Sequence, residues 1–375
     1  MNRLRHLALT LVLAAAGALG LSSSAGAATG MEIAVQDDFA LVTQAYRGAD
    51  REESLALSDQ FHSTWVRANV YWAAANGKQS KSKKKPSTPT YDFTAYDQLL
   101  LAARAHGQQL ELTLSGPAPA WGSGNKKMGV YKPNAKLFGE FVRAVVTHFG
   151  DNVNRYSVWN EPNLAPWLQP LKSAPSLYRS LYRVAYSEIK KANPDAQVLI
   201  GETSPYGTKG RSLPPIDFLR GVLKGGALKA DGYAHHPYDF QHAPNYKWPG
   251  RTNATLGTLS NLIKELDRQA SAGRLETPSG DALDVYLTEY GYLRSGRYKL
   301  SESKRGDYLQ QAYDIALKNP RVRQMLQYLL IQPTKKYQFF DMSLASTSGK
   351  PFGAAFTALV DWTTTNATKI NGAGG

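Results

Sequence analysis

Two glutamates stand where an apolar run makes a charge unexpected. Glu161 lies in "YSVWNEPNLAPW", one residue beyond a hydrophobic stretch, and Glu289 ends another such stretch in "LDVYLTEYGY". If both runs are strands, both carboxylates project from strand ends into one mouth instead of into packed interior. Two carboxyl groups held across a mouth suit glycosidic bond cleavage. One protonates the leaving oxygen, and the other attacks the anomeric carbon or activates water. Asn160 stands beside the first glutamate, and Pro162 stiffens the exit behind it. His236 and Tyr238, in "YAHHPYD", are two residues apart and so share a face, whereas His235 and His236 point opposite ways and are poorly placed to bind one metal. No metal and no cofactor are expected. Glu202, in "LIGETSP", is the rival carboxylate and reads as a local structural or N-capping residue, with substrate contact as the alternative.

These side chains need elements to carry them. The sequence alternates short apolar runs with longer amphipathic ones eight times, placing strands at 32–38, 64–72, 109–115, 156–160, 197–201, 232–238, 285–289 and 325–332. The runs are largely apolar without clean alternation, as parallel strands buried on both faces require. Helical patterns lie between them; "APSLYRSLYRVAYSEIKKANP", for example, puts Leu177, Leu181, Val184, Ala185 and Ile189 on one stripe and stops at Asn193-Pro194. Strict alternation argues for an α/β fold, a closed (β/α)8 TIM barrel in a single domain with long loops at its C-terminal face. An open doubly wound sheet is the rival, weakened because no Gly-rich phosphate loop follows the first strand. The tail "TTTNATKINGAGG" reads as a frayed terminus.

Composition narrows the setting. Residues 1–27 carry Arg3 and Arg5, an apolar run and a closing Ala25-Gly26-Ala27, the pattern of a secretory signal peptide, which leaves 28–375 as the catalytic domain. With no cysteine in the chain, stability in an oxidising compartment must come from core burial. The formal charge of +14 raises the question of nucleic acid, but aromatics do not interleave with the basic residues and no nucleic-acid motif occurs. Much of the local excess sits in the Lys- and Ser-rich stretch 77–89, a solvated insertion or a contact with anionic cell-envelope polymer. A secreted monomer acting on carbohydrate is expected.

"VWNEPN" on strand four and "LTEYG" on strand seven resemble the clan A glycoside hydrolases, the retaining barrel enzymes that include the cellulase-like families 5 and 39. The resemblance implies that Asn160 contacts a sugar 2-hydroxyl, Glu161 is the general acid/base and Glu289 is the nucleophile. It also implies that Arg67, in "WVRANVYW", hydrogen-bonds the nucleophile and keeps it ionised, a structural salt bridge being the alternative. By the same resemblance His236 lies near the acid/base and Tyr238 near the nucleophile. Such enzymes often carry a tryptophan at the end of strand eight, whereas here "YLLIQPTKKYQFFD" offers Gln332, Tyr337, Phe339 and Phe340.

Aromatic residues near strand ends suit sugar faces, and Trp72, Trp121 and Trp167 are the candidate platforms, with Trp248 in the loop after strand six. Three other readings stay open: transglycosylation on the same site, a carbohydrate-binding barrel without catalysis, and a metal-dependent hydrolase using the histidines of "AHHPYDFQH".

Overall fold

The structure, a computed structural model, describes residues 30–44, 50–333 and 340–372. The expected leader, Tyr337 and Phe339 lie outside the described residues. Eight parallel strands, β1 (Glu32–Gln36), β2 (Trp65–Tyr71), β3 (Gln109–Ser115), β4 (Arg155–Val158), β5 (Gln197–Thr203), β6 (Gly232–His235), β7 (Val285–Tyr290) and β8 (Val322–Tyr328), pair in sequence order, and β8 closes on β1. One main helix follows each strand: α1 (Arg51–Asp59), α2 (Thr94–Ala105), α3 (Ala135–Phe149), α4 (Ala174–Ala192), α5 (Pro215–Leu223), α6 (Leu259–Ser271), α7 (Glu302–Leu317) and α8 (Ala354–Thr365). The fold is therefore the expected (β/α)8 barrel.

The strands form because both of their faces are covered. One face of each meets the helices: Val66, Ala68 and Val70 of β2 join a large apolar layer with Phe138, Phe141 and Val142 of α3. The other face fills the lumen. Near the floor, Trp65 and Tyr286 flank the Arg155 guanidinium, whose carbon lies 3.7 Å and 4.7 Å from the two ring centres, while its nitrogens bond Glu32. Higher up the lumen turns fully polar, with Arg67, Ser157, Glu202 and Thr288 all buried. Buried charge thus runs from the Arg155–Glu32 pair near the floor to the cluster beneath the mouth.

Four expectations need correction. Strand eight runs 322–328, not 325–332, and strand six ends at His235, not at Tyr238. The buried stripe of α4 runs through Tyr178, Leu181, Tyr182, Ala185 and Ile189, with Leu177 and Val184 at its half-buried margin, because the tyrosine rings reach the core from positions beside the aliphatic ones. The tail is not frayed as far as it is described. Asn371 Oδ1 accepts from Ile33 N at 2.9 Å and from Thr64 Oγ1 at 2.8 Å, and Asn371 Nδ2 donates to the His62 carbonyl at 2.7 Å. Met31 and Ile370 are bridged alongside.

Candidate active site

The site is assembled where β2, β4, β5, β6 and β7 meet their loops. Alternation along β2 turns Arg67, Asn69 and Tyr71 to the lumen side. Arg67 is fully buried and spreads its donors over four partners. Its Nη1 donates to Glu289 Oε1 at 3.0 Å and to Gln36 Oε1, its Nη2 donates to Asn160 Oδ1 at 3.3 Å, and the same Nη2 lies 3.1 Å from Glu202 Oε2. Asn69 is held by Asp38, which accepts from its N and Nδ2 at 2.9 and 2.8 Å.

Beyond β4 the backbone turns through left-handed conformations, with φ of +66° at Trp159 and +37° at Glu161, and Glu202 on β5 sits at +49°. Residues with a Cβ adopt this region at a steric cost, so the surrounding packing must hold them there. The Trp159 ring provides that packing: it meets Phe138 edge-on, it occupies the space where a Cβ on Gly116 would come within 2.6 Å, and its Nε1 donates to the Trp167 carbonyl at 2.8 Å.

His236 joins three carboxylates. Its Nδ1 lies 3.2 Å from Glu161 Oε1 and 3.6 Å from Glu289 Oε2, and its Nε2 lies 2.7 Å from Glu202 Oε2. Glu161 and Glu289 thus converge on one nitrogen, and their near oxygens are no farther apart than those first two distances laid end to end. Burial alone would lower the imidazole pKa, but the charge of Glu289 and the bonds to Glu161 and Glu202 raise it to about 10. Tyr238 donates its hydroxyl to Glu289 Oε2 at 3.0 Å. Burial pushes the Glu289 carboxyl up, and the His236 and Arg67 cations offset only part of that, so it stays above the ordinary carboxylate value. Asn160, Glu161, Glu289, Arg67, His236 and Tyr238 are therefore one connected cluster.

Glu202 is neither an N-cap nor a substrate contact. Its side chain is 0 % exposed, and it accepts from Ser157 Oγ at 2.5 Å and Thr288 Oγ1 at 2.7 Å while pairing with Arg67 and His236. Burial would raise its pKa, yet the Arg67 charge and the His236 bond outweigh that and hold it at about 2. His235 faces away, bonded to Thr203 Oγ1 at 2.9 Å and to the Ala254 carbonyl at 2.6 Å, a structural role.

The mouth opens into a cleft with two halves. One, of about 270 Å³, is lined by Glu289, Asn160, Asn69, Tyr71, Trp167 and Tyr328. The other, of about 340 Å³, is lined by Ser204, Tyr206, Thr208, Arg211, Tyr238 and Phe240. Glu161 and Phe340 border both. Of the expected platforms, Trp167 lines the Glu289 half and lies parallel to Tyr71, with ring centres 6.4 Å apart. Trp248 stacks at 4.7 Å on Tyr206 beside the other half. Trp72 and Trp121 do not belong to the cleft: both are buried, edge to face at 5.4 Å, and Trp72 packs on Phe138 and Phe141. The reason is parity, since the alternation that aims Tyr71 at the mouth aims Trp72 outward at α3.

Tyr328 went unread because strand eight was placed too far along. The Asn319-Pro320 break ends α7, so a strand of ordinary length beginning just after it stops at Tyr328, and the aromatic residue at the end of β8 is this tyrosine. Gln332 does not line the Glu289 half, whereas Phe340 does.

A barrel of eight parallel strands with paired glutamates at the ends of β4 and β7 has the fold of the clan A glycoside hydrolases, and solved structures of that kind superpose on it. A family 39 glycoside hydrolase from Bacteroides cellulosilyticus WH2 matches with a TM-score of 0.70 at 18% identity, over 90% of this chain and 64% of that one. A glucosidase from Croceicoccus marinus matches with a TM-score of 0.64 at 14% identity, over 88% of this chain and 65% of that one. A monomeric beta-xylosidase from Caulobacter crescentus CB15 matches with a TM-score of 0.59 at 19% identity, over 91% and 68%. This chain thus spans about two thirds of the length of these structures. No protein-family model and no curated protein matches the sequence.

Proposed function

We propose that the protein is a secreted retaining glycoside hydrolase that cleaves O-glycosidic bonds of a polysaccharide or oligosaccharide through a covalent glycosyl-enzyme. The observation that carries this reading is the convergence of Glu161 and Glu289 on His236 at the boundary of a two-part cleft. Retaining enzymes hold their carboxyl groups roughly 5–5.5 Å apart and inverting ones roughly 6.5–9.5 Å. The bound set through His236 on the nearest oxygens is compatible with the first spacing. The glycoside hydrolase fold and the leader in residues 1–27 support the activity and the export respectively.

Glu289 attacks the anomeric carbon while Glu161 gives its proton to the departing oxygen, and the carbon–oxygen bond breaks with the electron pair leaving on that oxygen. Arg67, His236 and Tyr238 all stabilise the charged form of Glu289, opposing what burial does to it. Glu161 then takes a proton from water, which resolves the ester with the anomeric configuration retained. Asn160, fixed by Arg67, borders the Glu289 half where the attacked sugar sits. Transfer to a second sugar in place of water uses the same residues.

A panel of nitrophenyl glycosides tests the reading. Turnover with retained configuration, followed by NMR of the first-formed anomer, is the expected result. Glu289→Gln should lower kcat by about 10³-fold or more with the fold intact. Inverted product, or near-normal turnover by Glu289→Gln, overturns the assignment.

A further inference from the structure

We infer that the Tyr206 half of the cleft receives a leaving sugar that bears a carboxylate, such as a uronic acid residue, and that Arg211 is the group that recognises it. This rests on the hydrolase reading above. Glu161 delivers a proton to the scissile oxygen and borders both halves, so the bond that breaks lies at their junction. Glu289, which bonds the anomeric carbon, lines one half, and the sugar it attacks is held there. The Tyr206 half therefore holds the leaving group.

Arg211 stands in that half on the loop between β5 and α5. Its backbone is fixed, with N donating to the Thr208 carbonyl at 2.9 Å and its own carbonyl accepting from Ala165 N at 2.7 Å. Its side chain is exposed and, among the described residues, has neither a hydrogen-bond partner nor a carboxylate within ion-pair distance. Several arginines of this molecule are, by contrast, committed: Arg67 to Glu202 and Glu289, Arg155 to Glu32, Arg305 to Glu302, Arg321 to Asp267 and Asp284. A guanidinium on a fixed backbone at the edge of a sugar-sized cavity presents a planar fork of donors, which a carboxylate fills with two parallel charge-assisted bonds stronger than those the hydroxyls of a neutral sugar accept.

The stacked pair Tyr206 and Trp248 adds a flat apolar flank suited to the ring itself. At longer range the formal charge, +14 for the whole sequence and two less without Arg3 and Arg5 of the leader, draws a polyanionic chain toward the protein.

The test uses the full chain and two matched substrates that share the glycone found active as a nitrophenyl glycoside, one with glucuronic acid as the leaving sugar and one with glucose. The readout is the ratio of kcat/KM for the acidic over the neutral substrate, taken within each protein so that any general loss of activity cancels. Wild type should favour the acidic substrate by roughly tenfold, the scale of one charge-assisted hydrogen bond. Arg211→Ala should bring the ratio near one, Arg211→Lys should restore part of it, and Arg211→Glu should take it below one. A ratio near one in wild type, or a preference that survives Arg211→Ala, overturns the inference and leaves the hydrolase reading standing. A stronger preference for a 6-sulfated glucose than for glucuronic acid overturns the carboxylate assignment. Hydrolysis of no glycoside at all removes both together.

Discussion

Glu202 does its work without reaching substrate. Its two oxygens collect Arg67, His236, Ser157 and Thr288 in a space closed to solvent, and the two cations it holds are those that face Glu289. Replacing it by Gln leaves a guanidinium and an imidazolium buried with less countercharge, the situation in which breaking a buried ion pair costs about 3–5 kcal/mol. Glu202→Gln should therefore unfold at markedly lower urea concentration than wild type, whereas Glu289→Gln, at the open edge of the same cluster, should lose much less stability. Equal midpoints for Glu202→Gln and wild type would remove Glu202 from this role. The two carboxylates proposed to react were legible from their position after apolar runs. Glu202 had the same signature, and the sequence does not say whether a strand-end carboxylate points up into the mouth or down into the lumen.

The elements were read more securely than the directions of their side chains. Apolar runs alternating with amphipathic ones specify eight strands and eight helices, because parallel strands covered on both faces leave that pattern and few others. Strand ends were less exact, and each slip had a consequence at the cleft. Placing β8 four residues too far hid Tyr328, and treating Trp72 as a strand-end aromatic overlooked that Arg67, Asn69 and Tyr71 already define the lumen-facing parity of β2. The two kinds of tryptophan separate in experiment. Trp72→Ala removes a buried ring packed on Phe138 and Phe141 and should cost about 3–5 kcal/mol in chemical denaturation. Trp167→Ala removes a cleft wall and should raise KM severalfold with a much smaller change in stability. The reverse pattern would return Trp72 to the list of sugar contacts.

Across the whole molecule, buried ionisable groups set how stability varies with pH. Asp37, bonded to Ile331 N at 2.9 Å, and Glu111, beside Arg155, are both raised to about 7, chiefly by burial. For each, the protonated form is the better folded one, so that share of stability is present below the ordinary carboxylate range and lost as pH rises through about 7. The raised His236 has the same sign, its share fading as pH climbs toward about 10. Glu202 has the opposite sign, contributing above its ordinary value and losing its share as pH falls toward about 2. Thermal melting should be highest at mildly acidic pH and decline by pH 8, and a melting maximum at or above pH 8 would contradict this account. The same long-range view bears on the tail, where composition suggested looseness but Asn371 ties the final turn to β1 and to the segment entering β2. The backbone of Gly30 runs against that of Gly372, so close that a Cβ on the former would meet the latter's nitrogen at 2.9 Å. Gly30 and Gly372 therefore lie together beside the start of β1, at the pole of the barrel opposite the mouth. A tether joined directly at either glycine would begin on that side.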